Sequence, residues 1–105
     1  MSEALPGLAR EGSALRVTGV VTAENVVALR QQGEQEIRQA GGVLEIDLSG
    51  LETAHSVVLS LLLCWQRLAL RQDCQLSFSG ASERLRSLAA LSNLQEQIPG
   101  FAGHS

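Results

Sequence analysis

Hydrophobic and polar positions alternate along this chain in a way that divides it into strands and helices. Residues 14–21, Ala-Leu-Arg-Val-Thr-Gly-Val-Val, alternate at period two and predict a strand. A shorter strand near Leu8–Arg10 can pair with it across a turn at Glu11-Gly12-Ser13. Thr22 then reads as a helix N-cap, with Glu24 in the first turn, where the helix dipole favours a negative charge. That helix runs to about Gln39. Val26, Val27, Leu29 and Ile37 give it an apolar side, Arg30, Gln31, Glu34, Gln35 and Arg38 a wet one, and Gly41-Gly42 stops it. Val43-Leu44-Glu45-Ile46-Asp47-Leu48 is the next strand, Ser49 to His55 a loop, and Ser56 to Arg71 a second helix. Cys74 to Ser79 alternate as another strand. A third helix starts near Ser82, has Glu83 in its first turn, ends near Asn93, and places Leu85, Leu88, Ala89 and Leu91 on or near its buried face. Pro99-Gly100 breaks any further helix, and the tail through His104 is expected to be loose.

The resulting order, β-β-α-β-α-β-α, predicts an α/β fold. Strand–helix–strand alternation implies parallel pairing through right-handed crossovers. The first hairpin adds an antiparallel edge, so the expected architecture is a mixed sheet of about four strands covered by helices.

The second helix is apolar on more than one side. Wound at about 100° per residue, Val57, Val58, Leu61, Leu62, Trp65, Leu68 and Ala69 share one broad arc, the expected core face. The opposite arc carries Ser56, Ser60, Arg67 and Arg71, but also Leu59, Leu63 and Leu70, with Cys64 on its border. An exposed apolar patch of that kind marks an interaction surface, so Leu59, Leu63 and Leu70 are expected to point out of the domain and to be covered by a partner; the alternative is that another helix of the same chain covers them.

Composition narrows the possibilities. A chain of 105 residues with 45% hydrophobic content has material for one core, so residues 1–105 read as a single domain with an ordered core over about 7–98. Aromatics are 3%, which makes that core aliphatic apart from Trp65, Phe78 and Phe101. The net charge of −3, with no run of like charges and no basic tail, argues against a generic nucleic-acid binder, which needs clustered cations to displace counterions. No basic segment followed by an apolar run stands at the N-terminus, so no secretory signal is expected, and Cys64 and Cys74 are expected as reduced thiols in the cytoplasm. Val57 to Leu70 is interrupted by Ser60, Gln66 and Arg67 and falls short of the about 20 apolar residues a spanning helix needs.

The string Ile46-Asp47-Leu48-Ser49-Gly50-Leu51-Glu52-Thr53-Ala54-His55-Ser56-Val57-Val58-Leu59-Ser60-Leu61-Leu62 resembles the centre of STAS domains. In that family a strand ending in Asp-Leu-Ser is followed, about six residues on, by Asp-Ser or Asp-Thr and Gly opening an apolar helix. His55 stands here where the family usually has Asp, and Val57 where it usually has Gly. The short free-standing form looks most like the small STAS subunits of the Mla phospholipid-transport ABC complex. The resemblance implies a non-catalytic interaction subunit that binds the cytoplasmic ATPase of the transporter and supports outer-membrane lipid asymmetry. It would then be a cytoplasmic protein that meets the inner membrane only through its complex. The partner-binding residues implied by the loop and the helix face are Thr53, His55, Ser56, Leu59, Ser60, Leu63 and Arg67. The alternative the family offers is an anti-sigma-factor antagonist, in which Ser56 would be phosphorylated by a partner kinase. The β-branched Val57 beside the hydroxyl narrows a kinase's approach, so docking is the preferred role.

Read as residues alone, Ser56 is a serine before an apolar run, and such a residue caps the helix by accepting a backbone N–H. Its neighbour His55 does not make it a hydrolase: no Gly-x-Ser-x-Gly elbow surrounds it, and adjacent side chains rarely reach nucleophile–base geometry. His55, His104, Cys64 and Cys74 lack metal-ligand spacing, and Gly41-Gly42 precedes a strand with no lysine to follow, so neither metal nor nucleotide cofactor is expected. Asp47 is expected to bond the backbone of the loop after its strand.

Overall fold

A computed structural model of the chain describes residues 6–52, 55–94, 96–99 and 101. The elements are β1 (Gly7–Glu11), β2 (Ala14–Gly19), α1 (Val26–Ala40), β3 (Val43–Leu51), α2 (Ser56–Arg71), β4 (Gln75–Ser79) and α3 (Glu83–Leu91). One four-stranded sheet has the order β1-β2-β3-β4. β1 and β2 form the antiparallel hairpin, while β2–β3 and β3–β4 pair in parallel through the α1 and α2 crossovers. The expected mixed sheet and element order are therefore found.

The sheet is buried on one face. Leu15 and Val17 of β2, Leu44, Ile46 and Leu48 of β3, and Leu76 and Phe78 of β4 all face the helical layer. The alternate residues, among them Arg16, Glu45, Gln75 and Ser77, are exposed. That is the period-two signature of an open sheet face. The outer edge of β4 is not free: the Phe78 amide donates to the Pro99 carbonyl at 3.1 Å, and Phe101 sets its ring edge-on to Phe78, centroids 6.4 Å apart. Phe101 is buried, so the chain belongs to the core past the Pro99-Gly100 break. Residues 102–105, which hold the expected loose tail, lie outside the described residues.

Element ends follow local hydrogen bonding. α1 begins at Val26 with Asn25 at the cap position, three residues later than a cap at Thr22 predicts. Thr22 and Asn25 instead bond each other: the Thr22 amide donates to Asn25 Oδ1 at 2.8 Å and the Asn25 amide to Thr22 Oγ1 at 3.3 Å. Their turn holds Glu24 ahead of the helix. Gly41 closes α1 in the left-handed conformation at φ 70°, as expected. β3 extends to Leu51, so the predicted loop from Ser49 is shorter. Ser82 caps α3 by accepting from the Leu85 amide at 3.1 Å. Leu85 and Ala89 are buried there, but Leu91 is 83% exposed, a correction to its expected burial. It lies at the last residue of a nine-residue helix that packs against α2.

α1 and α2 meet at an unusual contact. Trp65 is fully buried and donates its indole Nε1–H to the Arg30 carbonyl at 3.0 Å. The facing residue of α1 is Gly33, where a Cβ would come within 2.3 Å of the indole ring. A glycine in mid-helix costs up to about 1 kcal/mol relative to alanine. It is the room for the indole that explains its presence.

Candidate functional site

α2 runs between α1 on one flank and α3 on the other. Seven of its residues are buried: Val58, Leu59, Leu61, Leu62, Trp65, Leu68 and Ala69. Leu59 is therefore not on the outer face. It is 2% exposed and belongs to the central core cluster, which corrects the expectation that a partner covers it. The reason is angular. Leu59 sits only about 60° from Leu62 around the helix, and a helix with neighbours on both flanks buries a wider arc than one packed on a sheet alone. Leu63 is half-buried and packs against the same cluster, so only part of it faces outward. Of the three leucines only Leu70 is mostly exposed, at 67%.

The polar members of the predicted site are placed as expected. His55, Ser56, Ser60 and Arg67 are all exposed. Ser60 and Arg67 are seven residues apart and share one ridge of the helix. Thr53 lies outside the described residues. The helix cap is His55, not Ser56: His55 has extended backbone angles (φ −120°, ψ 165°) and makes no side-chain capping bond. Ser56 is the first helical residue. Among the described residues its hydroxyl has no hydrogen-bond partner and no bond joins it to His55.

Beside this ridge lies a feature that the hydrophobic pattern alone does not reveal. A groove of about 250 Å³ opens between α1 and α2, lined by Val26, Val27, Arg30, Val57, Ser60, Leu61 and Cys64. Val57, expected in the core, lines this groove and is half-buried. Val27 is 51% exposed at its lip. The only signal in the sequence was the pair Val26-Val27 ahead of the buried Leu29, one valine more than a single core stripe needs.

On the open sheet face, Asp47 Oδ1 accepts the Ser49 amide at 2.9 Å, and the Arg16 guanidinium stands 3.5 Å from Oδ2. The expected backbone bond is present, though it forms within the longer β3. The Ser49 bonds, followed by Arg16, hold the Asp47 carboxyl below the usual range. Its folded pKa is thus depressed, so it favours folding above about pH 4 and loses that contribution as pH falls through the lower, folded value. Solvent screening keeps the effect under about 1 kcal/mol. Thermal melts between pH 5 and 2 should show Asp47→Asn losing less stability on acidification than the parent protein; parallel curves would remove Asp47 from the account. Among the described residues no three His, Cys, Asp or Glu side chains are grouped to hold a metal, and no helix is long and apolar enough to cross a membrane.

With this geometry established, comparison with known proteins decides the family. The family model described as the Mlab STAS domain matches residues 6–100. This chain belongs to the STAS domain family. Its fold is similar to that of the anti-sigma factor antagonist SpoIIAA in its unphosphorylated form, at 17% identity and a TM-score of 0.70, covering 90% of this chain and 85% of that one. It is also similar to an anti-sigma factor antagonist from Mycobacterium paratuberculosis, at 20% identity and a TM-score of 0.66, covering 90% and 82%. At such identities the likeness fixes the STAS fold alone. No curated protein matches the sequence at a significant level.

Proposed function

We propose that this STAS domain is a non-catalytic docking subunit that binds the cytoplasmic ATPase of a phospholipid-transport ABC complex and stabilises or regulates it. The observation that carries the docking reading is the exposed ridge of His55, Ser56, Ser60 and Arg67 running beside an apolar groove. Polar groups at the edge of an apolar concavity are the arrangement of a protein interface, with a dry centre and a wet rim. The Mlab description of the matching family model supports the choice of transporter over other STAS partners. In that setting the chain sits on the cytoplasmic side of the inner membrane through its complex and serves outer-membrane lipid asymmetry.

The test is affinity capture from native cells followed by identification of what is held. The ATPase of a lipid-transport complex should be retained, and Ser60→Arg should reduce its recovery at least tenfold. Because Ser60 is exposed, its melt should stay within the roughly ±0.5 kcal/mol of a surface change. Recovery of no such ATPase from cells that express one would end this reading.

A second reading has one observation in its favour. The two similar structures described above are anti-sigma factor antagonists, and the Ser56 hydroxyl stands exposed and, among the described residues, unbonded at the first turn of α2, where free amides favour a phosphate. Intact-mass measurement of protein from cells would then find a phosphate at Ser56. An unmodified mass in every growth condition decides against it.

A further inference from the structure

We infer that the α1–α2 groove seats an apolar side chain from an amphipathic helix of the partner, and that acidic residues flanking that side chain meet a line of arginines along the groove. The inference rests on the docking reading above and adds the chemistry of what docks. The floor is apolar: Val26, Val57 and Leu61 line it, with the Cys64 thiol and the half-exposed Val27. Its volume of about 250 Å³ suits one or two aliphatic side chains better than a drug-sized ligand, whose pockets run from about 300 Å³ upwards.

Charge selects the occupant further. Arg30 forms part of the wall. Arg67 lies seven residues beyond Ser60, and Arg71 seven beyond Cys64, so both extend the ridge that borders the groove. Arg67 and Arg71 are exposed and, among the described residues, make no ion pair. On the α1 side Arg38 follows Glu34, and Glu34 approaches Arg30 only at 4.0 Å. Arg30 in the wall and Arg67 and Arg71 on the ridge thus set three cations beside the groove, in a chain whose net charge is −3. Such a local reversal of sign, around an apolar centre, complements a helix that is apolar on one stripe and acidic beside it.

Cys64 supplies the test, since Cys74, the other cysteine, is buried. In a Cys74→Ala background, alkylating Cys64 with N-ethylmaleimide should fill the groove and cut recovery of the captured ATPase at least tenfold, with the melt retained. A photo-cross-linker at the exposed Gln31, one turn beyond Val27, should attach to a partner segment with helical apolar spacing and two or more Asp or Glu. Arg67→Glu should weaken capture several-fold, and Arg67→Lys should restore it. Unchanged capture after alkylation, a neutral or basic cross-linked segment, or a cross-link to a second copy of this chain overturns the inference while leaving docking intact. Failure to capture any ATPase overturns the docking reading itself.

Discussion

Gly33→Ala is expected to lower the melting temperature by about 10 °C or more. An alanine Cβ at this site would stand 2.3 Å from the Trp65 ring, and the indole has nowhere to retreat. It is fully buried, and its Nε1–H is fixed on the Arg30 carbonyl. Overpacking of a close-fitted core costs about 1–3 kcal/mol and occasionally more, and this clash belongs at the upper end. The gain in helix propensity from removing glycine returns only about 1 kcal/mol. A net loss of about 2 kcal/mol shifts the midpoint of a domain near 100 residues by roughly 8–16 °C. Trp65→Phe, with a smaller ring, should recover part of the loss in the double variant. The sign of the coupling in that cycle is the check. A Gly33→Ala protein that melts with the parent would mean α1 and α2 do not cross at this pair.

Leu59→Asp is expected to leave the chain largely unfolded, whereas Ser60→Asp, its immediate neighbour, is expected to melt within about 0.5 kcal/mol of the parent. Leu59 is 2% exposed in the central cluster, and no described cation is bonded near it to receive a carboxylate. Burying an unpaired charge costs several kcal/mol, a large share of the roughly 5–15 kcal/mol by which a domain is stable. Leu63→Asp should fall between the two, because that side chain is only half-buried against the core. Circular-dichroism melts of the three variants distinguish the registers of α2. A folded Leu59→Asp protein would restore Leu59 to the surface.

The same comparison marks where sequence reading succeeds and where it stops. Strand and helix periods placed all seven elements, because alternation in 43–48 and 75–79 and the long apolar run of α2 have few competing readings. The parallel pairing followed from connectivity alone. The start of α3 near Ser82 was legible, but the cap expected at Thr22 is displaced to Asn25, because a Thr–Asn turn bonds the two residues ahead of the helix. The site was half legible. Ser56, Ser60 and Arg67 are polar residues sharing the outer arc of an apolar helix, and His55 stands in the turn ahead of it. Leu59 misled because periodicity fixes the angle of a residue on its own helix but not how many neighbours flank that helix. The groove was invisible for a related reason: it is made by two helices about thirty residues apart in the sequence.

That indole has a practical consequence. The chain has one tryptophan and no tyrosine, so ultraviolet-excited emission from the protein comes from a single chromophore lodged where α1 crosses α2. Any ligand or subunit that shifts the spacing of those two helices must alter the colour or brightness of that emission. The native molecule thus carries its own optical gauge, and binding at the seam can be titrated without attaching a dye.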